Sequence, residues 1–479
     1  GELSSSKGKH DDNTQKNKNP ATGEKAKAAL DSVVTTFLET GATMANELIR
    51  KEALSSSKRD HEGDHHEAKV VEVDDVFVGN SSESVGTCIK NEALKLYPSY
   101  NNLDHSKKAV VELGLNSILD IFIGHATKTN SIHPPQSYLF SDAEWKELSL
   151  KFNHMSSEYD VVAKYKDKIK KIEECAKGDL KDARQHTYMA EMKSTRDDES
   201  ILYAIYTHYL EVLEYHQYIF QDDIDITELD FGVKLWGPML EKLFRNTSLR
   251  CKWGESVGDS SGVAESRGFK VDVRIVRDTL SRRRKEADQA NVEMARKNPT
   301  ISKTSSDRIK LLIESKCVLD RLAKEVKHFK HHEIVIPALQ LAGPRASFYS
   351  LQLGSNGLYI GMKDVSGTVP NKKKDLYLFR RVVDLLFRFK VKRDIYIYIY
   401  ICVCVWVGGW QAALNVSEYT LTTADDDDDD DYDDDDKNSD SNKESIDYLL
   451  WLRGTWIPPR SNIKKKLPSI PSILTASDL

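Results

Sequence analysis

The chain has 479 residues, of which 39% are hydrophobic and 30% charged, and its mean hydropathy is -0.52. This describes a soluble protein with much exposed surface and length for two or three domains. The formal net charge of -6 is misleading, because eleven aspartates lie within 425–436 and the rest of the chain carries +5, which permits a phosphate-rich partner without requiring one.

Of six cysteines, Cys402 and Cys404 lie inside the repeat tract at 391–444. The other four are dispersed with no CxxC pair, which argues against a disulfide framework and a structural zinc and for an intracellular, reducing compartment, cytoplasm or nucleus. The opening GELSSSKGKHDD has no apolar segment of the signal-peptide kind, and residues 1–25 read as disordered. Apolar spacing predicts a helix over Ala26–Leu54, followed by a polar linker over 55–86. His61, His65 and His66 in that linker lack a scaffold that would fix them around a metal.

A helical region is expected over 87–226, with helices at His105–Gly124, Ser141–Phe152, Asp160–Gly178, Leu180–Ser194 and Glu199–Phe220. Ser141 and Glu144 form a capping box, and the Tyr stripe of the last helix suits a helix-packing face. A mixed α/β module is expected over 227–390. It opens with the helix Thr227–Phe244, broken at Gly237-Pro238. Short strands follow at Leu249–Ser256, Gly268–Val276 and Val292–Lys297, with a glycine- and serine-rich hairpin loop at Trp253–Gly268. After the helix Ser305–Phe329 comes a three-stranded meander over Ile334–Val365, turning at Gly343-Pro344 and Ser355-Asn356-Gly357, then a helix over Lys374–Lys390. The fold class read from this order is α+β.

Residues 391–444 have a different character. IYIYIYICVCVWVGGW (Ile395–Trp410) is what an AT dinucleotide repeat passing into a TG repeat encodes, and DDDDDDDYDDDD (Asp425–Asp436) fits a GAT triplet repeat. We read the tract as translated intron. The alternatives are a membrane helix over Ile395–Leu414, whose length and flanks would suit one, and a functional strand. SIDYLLWLRGTWIPPR (Ser445–Arg460) reads as a return to coding sequence, within a C-terminal tail over 445–479.

P-loop, GxSxG, HExxH and dinucleotide GxGxxG signatures are all absent. The residues that raise a chemical question are Asp272, inside the apolar strand KVDVRIV, and Glu293 in the next candidate strand. A carboxylate in such a strand is costly unless it meets solvent or a cation. Strand alternation sets Asp272 and Arg274 on one face and Val271, Val273 and Ile275 on the other, so a simple wet face accounts for it equally. Acids on two adjacent strands can also hold Mg²⁺ through oxygen, with a lysine or arginine assisting. The basic run SRRRKE (Ser281–Glu286) suits a solvated loop, or contact with phosphate.

The order helix, strand, strand with Asp272, strand with Glu293, helix, strand resembles the PD-(D/E)XK nuclease core, a restriction-endonuclease-like α/β sandwich. That resemblance implies Mg²⁺ held by Asp272 and Glu293, with Glu241 as the helical acid and nucleic acid as substrate. The family's lysine falls on Ala295, so Arg296, Lys297 or a migrated Lys310 would have to substitute, and Val271 stands in place of the family's proline. Across 92–390, the phrases ALKLYPSY, VELGLNSILD, VKLWGPMLEKLF, KWGES, KVDVRI, DRIKLLIESK and GLYIGMKD together resemble a set of mucoralean fungal proteins without an assigned activity. This implies a genuine folded region and no particular chemistry. The rival to a nuclease-like domain is a non-enzymatic binding protein in which Asp272 and Glu293 are solvated or salt-bridged.

Overall fold

A computed structural model describes residues 76–122, 134–152, 160–258, 269–278, 286–325, 334–390 and 451–458. All of them fall within one unit, Lys69–Leu479. The helix expected over Ala26–Leu54, the histidines of the linker, the arginines of the basic run, the repeat tract with Ile395–Leu414, and the last residues of the tail lie outside the described residues. The end of the expected linker, 76–86, is instead folded, with Val76 and Val78 buried and a helix starting at Val85. Among the described residues no helix is long and apolar enough to cross a membrane.

The fold is α+β, built on a 7-stranded sheet in the order β1-β7-β6-β5-β4-β3-β2. The strands are β1 Ile118–Phe122, β2 Leu249–Val257, β3 Lys270–Asp278, β4 Glu286–Ala295, β5 Val335–Ala342, β6 Arg345–Ser355 and β7 Leu358–Thr368. The β1–β7 and β4–β5 pairs are parallel and the remaining neighbours antiparallel. Helices α1 Val85–Leu96 and α2 His105–Leu115 flank β1, and α3 Asp142–Phe152 follows it. Then come α4 Lys166–Gly178, α5 Leu180–Lys193, α6 Asp197–Tyr215, α7 Glu228–Phe231 and α8 Gly237–Phe244 ahead of β2. Helix α9, Ile301–Glu325, makes the crossover from β4 to β5 that a parallel pair requires. A last helix, α10, runs over 379–390.

Strand alternation divides the two faces. Val273, Ile275, Val292, Leu339, Leu341 and Phe348 point into a large apolar core shared with α4–α8 and α10. Ile336, Leu351, Leu353 and Tyr359 point to the opposite face, where Ile309, Leu312, Ile313 and Leu319 of α9 cover them. The tyrosines of α6 fulfil the packing role expected of them. Tyr209 stacks on Phe379 at 3.9 Å between ring centres, and Tyr206 meets the same ring edge-on at 5.2 Å.

Several boundaries differ from the sequence expectation. The helix read over His105–Gly124 stops at Leu115; the chain turns through Ser117 at φ 53° and enters β1, which lies parallel to β7. An apolar ILDIF run serves either period, and pairing with β7 decides for the strand. Strand β4 starts ten residues of strand at Glu286, ahead of the expected Val292. Its early members Asp288 and Asn291 are polar but buried, so apolar periodicity does not reveal them. Helix α9 begins at Ile301, where the Thr300 hydroxyl accepts the Lys303 N–H at 3.2 Å, and not at Ser305.

Gly237-Pro238 does not break its helix. A π-helical turn, Gly232–Trp236, joins α7 to α8, with the Gly237 N–H reaching back to the Gly232 carbonyl. Pro238 lies in the first turn of α8, where a missing N–H costs little. A Cβ at Gly237 would come within 2.5 Å of Gly232 O, so glycine is required for this turn.

The chain returns at 451–458 to pack on α1 and α2. Trp456 is buried and meets Tyr97 and Tyr100 edge-on at 6.0 and 5.4 Å. Its backbone N–H donates to Asn116 Oδ1 at 2.8 Å, and Asn116 Nδ2 donates to Trp456 O at 2.9 Å.

Candidate functional site

Strands β3 and β4 pair with Val273 opposite Val292 and Arg274 opposite Asn291. Continuing this antiparallel register by one residue brings Asp272 and Glu293 to one face, and the two carboxylates are close enough to act on each other electrostatically. Here the strands no longer form a regular ladder, because the Asp272 side chain takes the place of a backbone acceptor: its Oδ2 accepts the Met294 N–H at 2.7 Å. Both acids lie beneath the first turns of α9, near the end of β4. Crossover folds characteristically place ligands at the carboxyl ends of parallel strands.

Glu293 is 1% exposed, and Lys310 of α9 places Nζ 2.6 Å from its Oε1. Burial pushes the Glu293 carboxyl up to about 8; Lys310 opposes the shift, while Asp272 and Asp307 add to it. Asp307 pairs with Lys303 at 2.7 Å through Oδ1, and its buried Oδ2 has no hydrogen-bond partner. Its pKa is raised by burial, against the pull of Lys303 and Lys310. Glu228, at the start of α7, is half-buried and also raised, by desolvation and then by Asp272. Lys303 loses hydration, yet its pKa is raised because Asp307, Glu293 and Asp272 hold its proton.

Four carboxylates therefore share one neighbourhood with two ammonium groups, a surplus of two negative charges when all are ionised. Protonation of Glu293, or a bound cation, compensates for it. Gln340 of β5, opposite Glu293, closes the row: Nε2 donates to Thr304 O at 2.8 Å, and its Oε1 accepts from Tyr349 OH at 3.0 Å.

The structure distributes the sequence candidates unevenly. Asp272, Glu293 and Lys310 come together. Glu241 does not join them; it is exposed and accepts the Trp253 indole N–H at 2.6 Å. Glu228, thirteen positions earlier and beyond the π turn, occupies the helical-acid place. Lys297 is drawn away to Phe220 O at 2.8 Å and Asp222 at 2.5 Å, and Arg296 is exposed beyond the end of β4. Ala295 is buried and offers no cation. Glu228, Lys303 and Asp307 were missed by sequence reasoning. The spacing of Lys303, Asp307 and Lys310, four and three residues apart, was the available signal that they share a helix face.

A second buried ionic pair stabilises the same layer without joining this group. Arg274 and Asp288 bond across β3 and β4, and a bulge after Ile275 brings Asp288 onto Arg274's face. The expected Asp272–Arg274 neighbour pair is thus replaced: each residue has its own partner on β4.

Among the described residues no group of three or more His, Cys, Asp or Glu side chains is placed to hold a metal ion. The donors nonetheless suit a hard divalent ion, since Mg²⁺ keeps several waters and takes one or two carboxylates. The unpartnered Asp307 oxygen and the Glu293 and Glu228 carboxyls, both raised first by burial, are the oxygen donors available there. Comparison with family models, with curated proteins and with solved structures gave no match to this chain.

Proposed function

We propose that the α/β module over 227–390 is a Mg²⁺-dependent, nuclease-like phosphodiester hydrolase. The observation that carries this reading is the juxtaposition of Asp272 and Glu293 on adjacent strands, with Lys310 on Glu293 and Glu228 alongside. Asp272 and Glu293 would hold the ion, and Glu228 would contribute through water. When bound, the ion supplies an activated water and neutralises charge developing on phosphate.

The chain's own residues carry the remaining roles. Asp272 is held through Oδ2 by the Met294 N–H, and its other carboxylate oxygen would be the one to bind the ion. Lys310 keeps Glu293 ionisable despite burial, and its release toward substrate would place a cation beside the scissile phosphate. Lys303, near the start of α9, adds positive charge on the approach. The test is cleavage of plasmid or single-stranded DNA with and without Mg²⁺, comparing the natural chain with Asp272→Ala. Equal activity in both would place any cleavage elsewhere.

A second reading is favoured by a different observation. Glu293 already has a lysine counter-ion, and Ala295 occupies the position where a catalytic lysine is expected. A non-enzymatic binding protein that retains these acids as a salt-bridged cluster would show neither cleavage nor a metal-induced rise in melting temperature.

A further inference from the structure

One transverse row of the sheet leads away from the carboxylates. Glu293 is paired with Gln340, Gln340 with Ser347, and Ser347 with Ser366. Paired residues share a face, so these four polar side chains line one side of the sheet from β4 to β7. The two hydroxyls meet, with Ser347 Oγ 3.0 Å from Ser366 Oγ. Three strand spacings of about 4.8 Å put Ser366 about 14 Å from Glu293.

At the β7 end of this row opens a cleft of about 550 Å³, lined by Arg345, Ser366, Gly367, Thr368, Arg380 and Arg381, with Tyr377 at its rim. Arg380 is committed, since its Nε and Nη2 grip both oxygens of Glu173 at 2.7 and 2.6 Å. Arg345 and Arg381 are exposed and have no carboxylate partner among the described residues. Lys363, three residues before Ser366 on β7 and across a bulge from it, feels both of them. Its pKa is lowered to about 8, first by burial and then by Arg345, Arg308 and Arg381, against the help of Asp120. Uncompensated positive charge, hydroxyls and an exposed aromatic ring suit a phosphate-bearing strand.

We propose that the Arg345–Arg381 cleft is a second phosphate site, which holds the backbone of a nucleic-acid strand whose reactive phosphodiester lies at Glu293. This rests on the phosphodiesterase reading and names its substrate-positioning surface. A separation of about 14 Å corresponds to roughly four steps of 3.4 Å along one strand of B-form duplex.

The test is fluorescence anisotropy of a short labelled DNA duplex, and of its single strand, with the full chain in metal chelator. The natural protein is compared with Arg345→Ala/Arg381→Ala and with Lys181→Ala, an exposed lysine of α5 outside both sites. The double variant should weaken binding of at least one probe about tenfold and reduce the salt slope by about two, while Lys181→Ala binds like the natural chain. Both arginines are exposed, and an unchanged melting temperature verifies that the variant is folded. Natural affinity of the double variant for both probes overturns the proposal, as does a natural chain that binds neither. Saturable binding of inorganic phosphate at Arg345 and Arg381 with no binding of either DNA would assign the cleft to a free anion and also overturn it. Loss of DNA binding in the double variant, without metal-dependent cleavage by any protein, would uphold the cleft and remove the phosphodiesterase reading. Metal-dependent cleavage with unaltered KM in the double variant would do the reverse.

Discussion

Lys310 Nζ lies 2.6 Å from Glu293 Oε1, joining the covering helix α9 to a buried acid of the β3–β4 pair. Deleting one partner of a buried ion pair exposes what the other experiences alone. Lys310→Met should therefore destabilise the metal-free protein by about 3 kcal/mol, the scale of an uncompensated buried charge, with protonation of Glu293 relieving part of it. Thermal melting at pH 7 and above would read this. If Lys310 also serves chemistry, cleavage should fall about a hundredfold while calorimetric Mg²⁺ binding persists.

Metal binding should require both strand acids. Titration with Mg²⁺ or Mn²⁺ by calorimetry should give heat with the natural chain and none with Glu293→Gln or Asp272→Asn. Asp272→Asn keeps an oxygen that can accept the Met294 N–H, so the β3–β4 pairing survives and the loss reports charge. Unchanged heat in both variants would remove these residues from any metal site.

The pH dependence has a defined sign. Glu293 has its proton-binding midpoint raised from 4.5 to about 8, so the folded state binds the proton more tightly than the unfolded one. Stability from this group is complete below about pH 4.5 and is lost as pH rises to about 8. Glu228 and Asp307 act in the same direction. Glu293→Gln should flatten that part of the melting-temperature profile, and Mg²⁺ should stabilise the natural chain most at the alkaline end. A natural profile that rises from pH 5 to 8 and is unaltered by the substitution would contradict this.

Trp456 tests the role of the returning segment. Trp456→Ala removes a fully enclosed ring between Tyr97 and Tyr100, and should cost about 3–5 kcal/mol in a denaturant unfolding experiment. Sequencing of spliced transcript across codons 385–445 should find the dinucleotide and GAT repeats removed while the codons for 451–458 remain. A transcript that retains the repeats would end the intron reading.

Much of the architecture was legible because its signals are local. Turns at Gly343-Pro344 and Asn356-Gly357 separated β5, β6 and β7, and the capped, 3.6-periodic run of α9 stood out between strands. Strand β1 was not legible, since ILDIF becomes a strand only through β7, more than 230 positions later in the chain. The start of β4 was hidden because Asp288 looks like surface until Arg274 is placed opposite. At the site, Asp272, Glu293 and Lys310 could be singled out by an acid in an apolar strand and a basic helix. Glu228 could not, because a π turn changes the angular phase that a regular helix would assign it.

That turn has a consequence for how the cluster could be switched off by heredity. It accommodates one surplus residue, and Val233 within it is 61% exposed, so loss of that single codon removes little packing. The remaining residues could then wind as ordinary helix, and Glu228 would rotate by ~100° relative to α8, the angle of one residue. An in-frame deletion outside both strands could thus disarm the acid group while leaving the sheet intact.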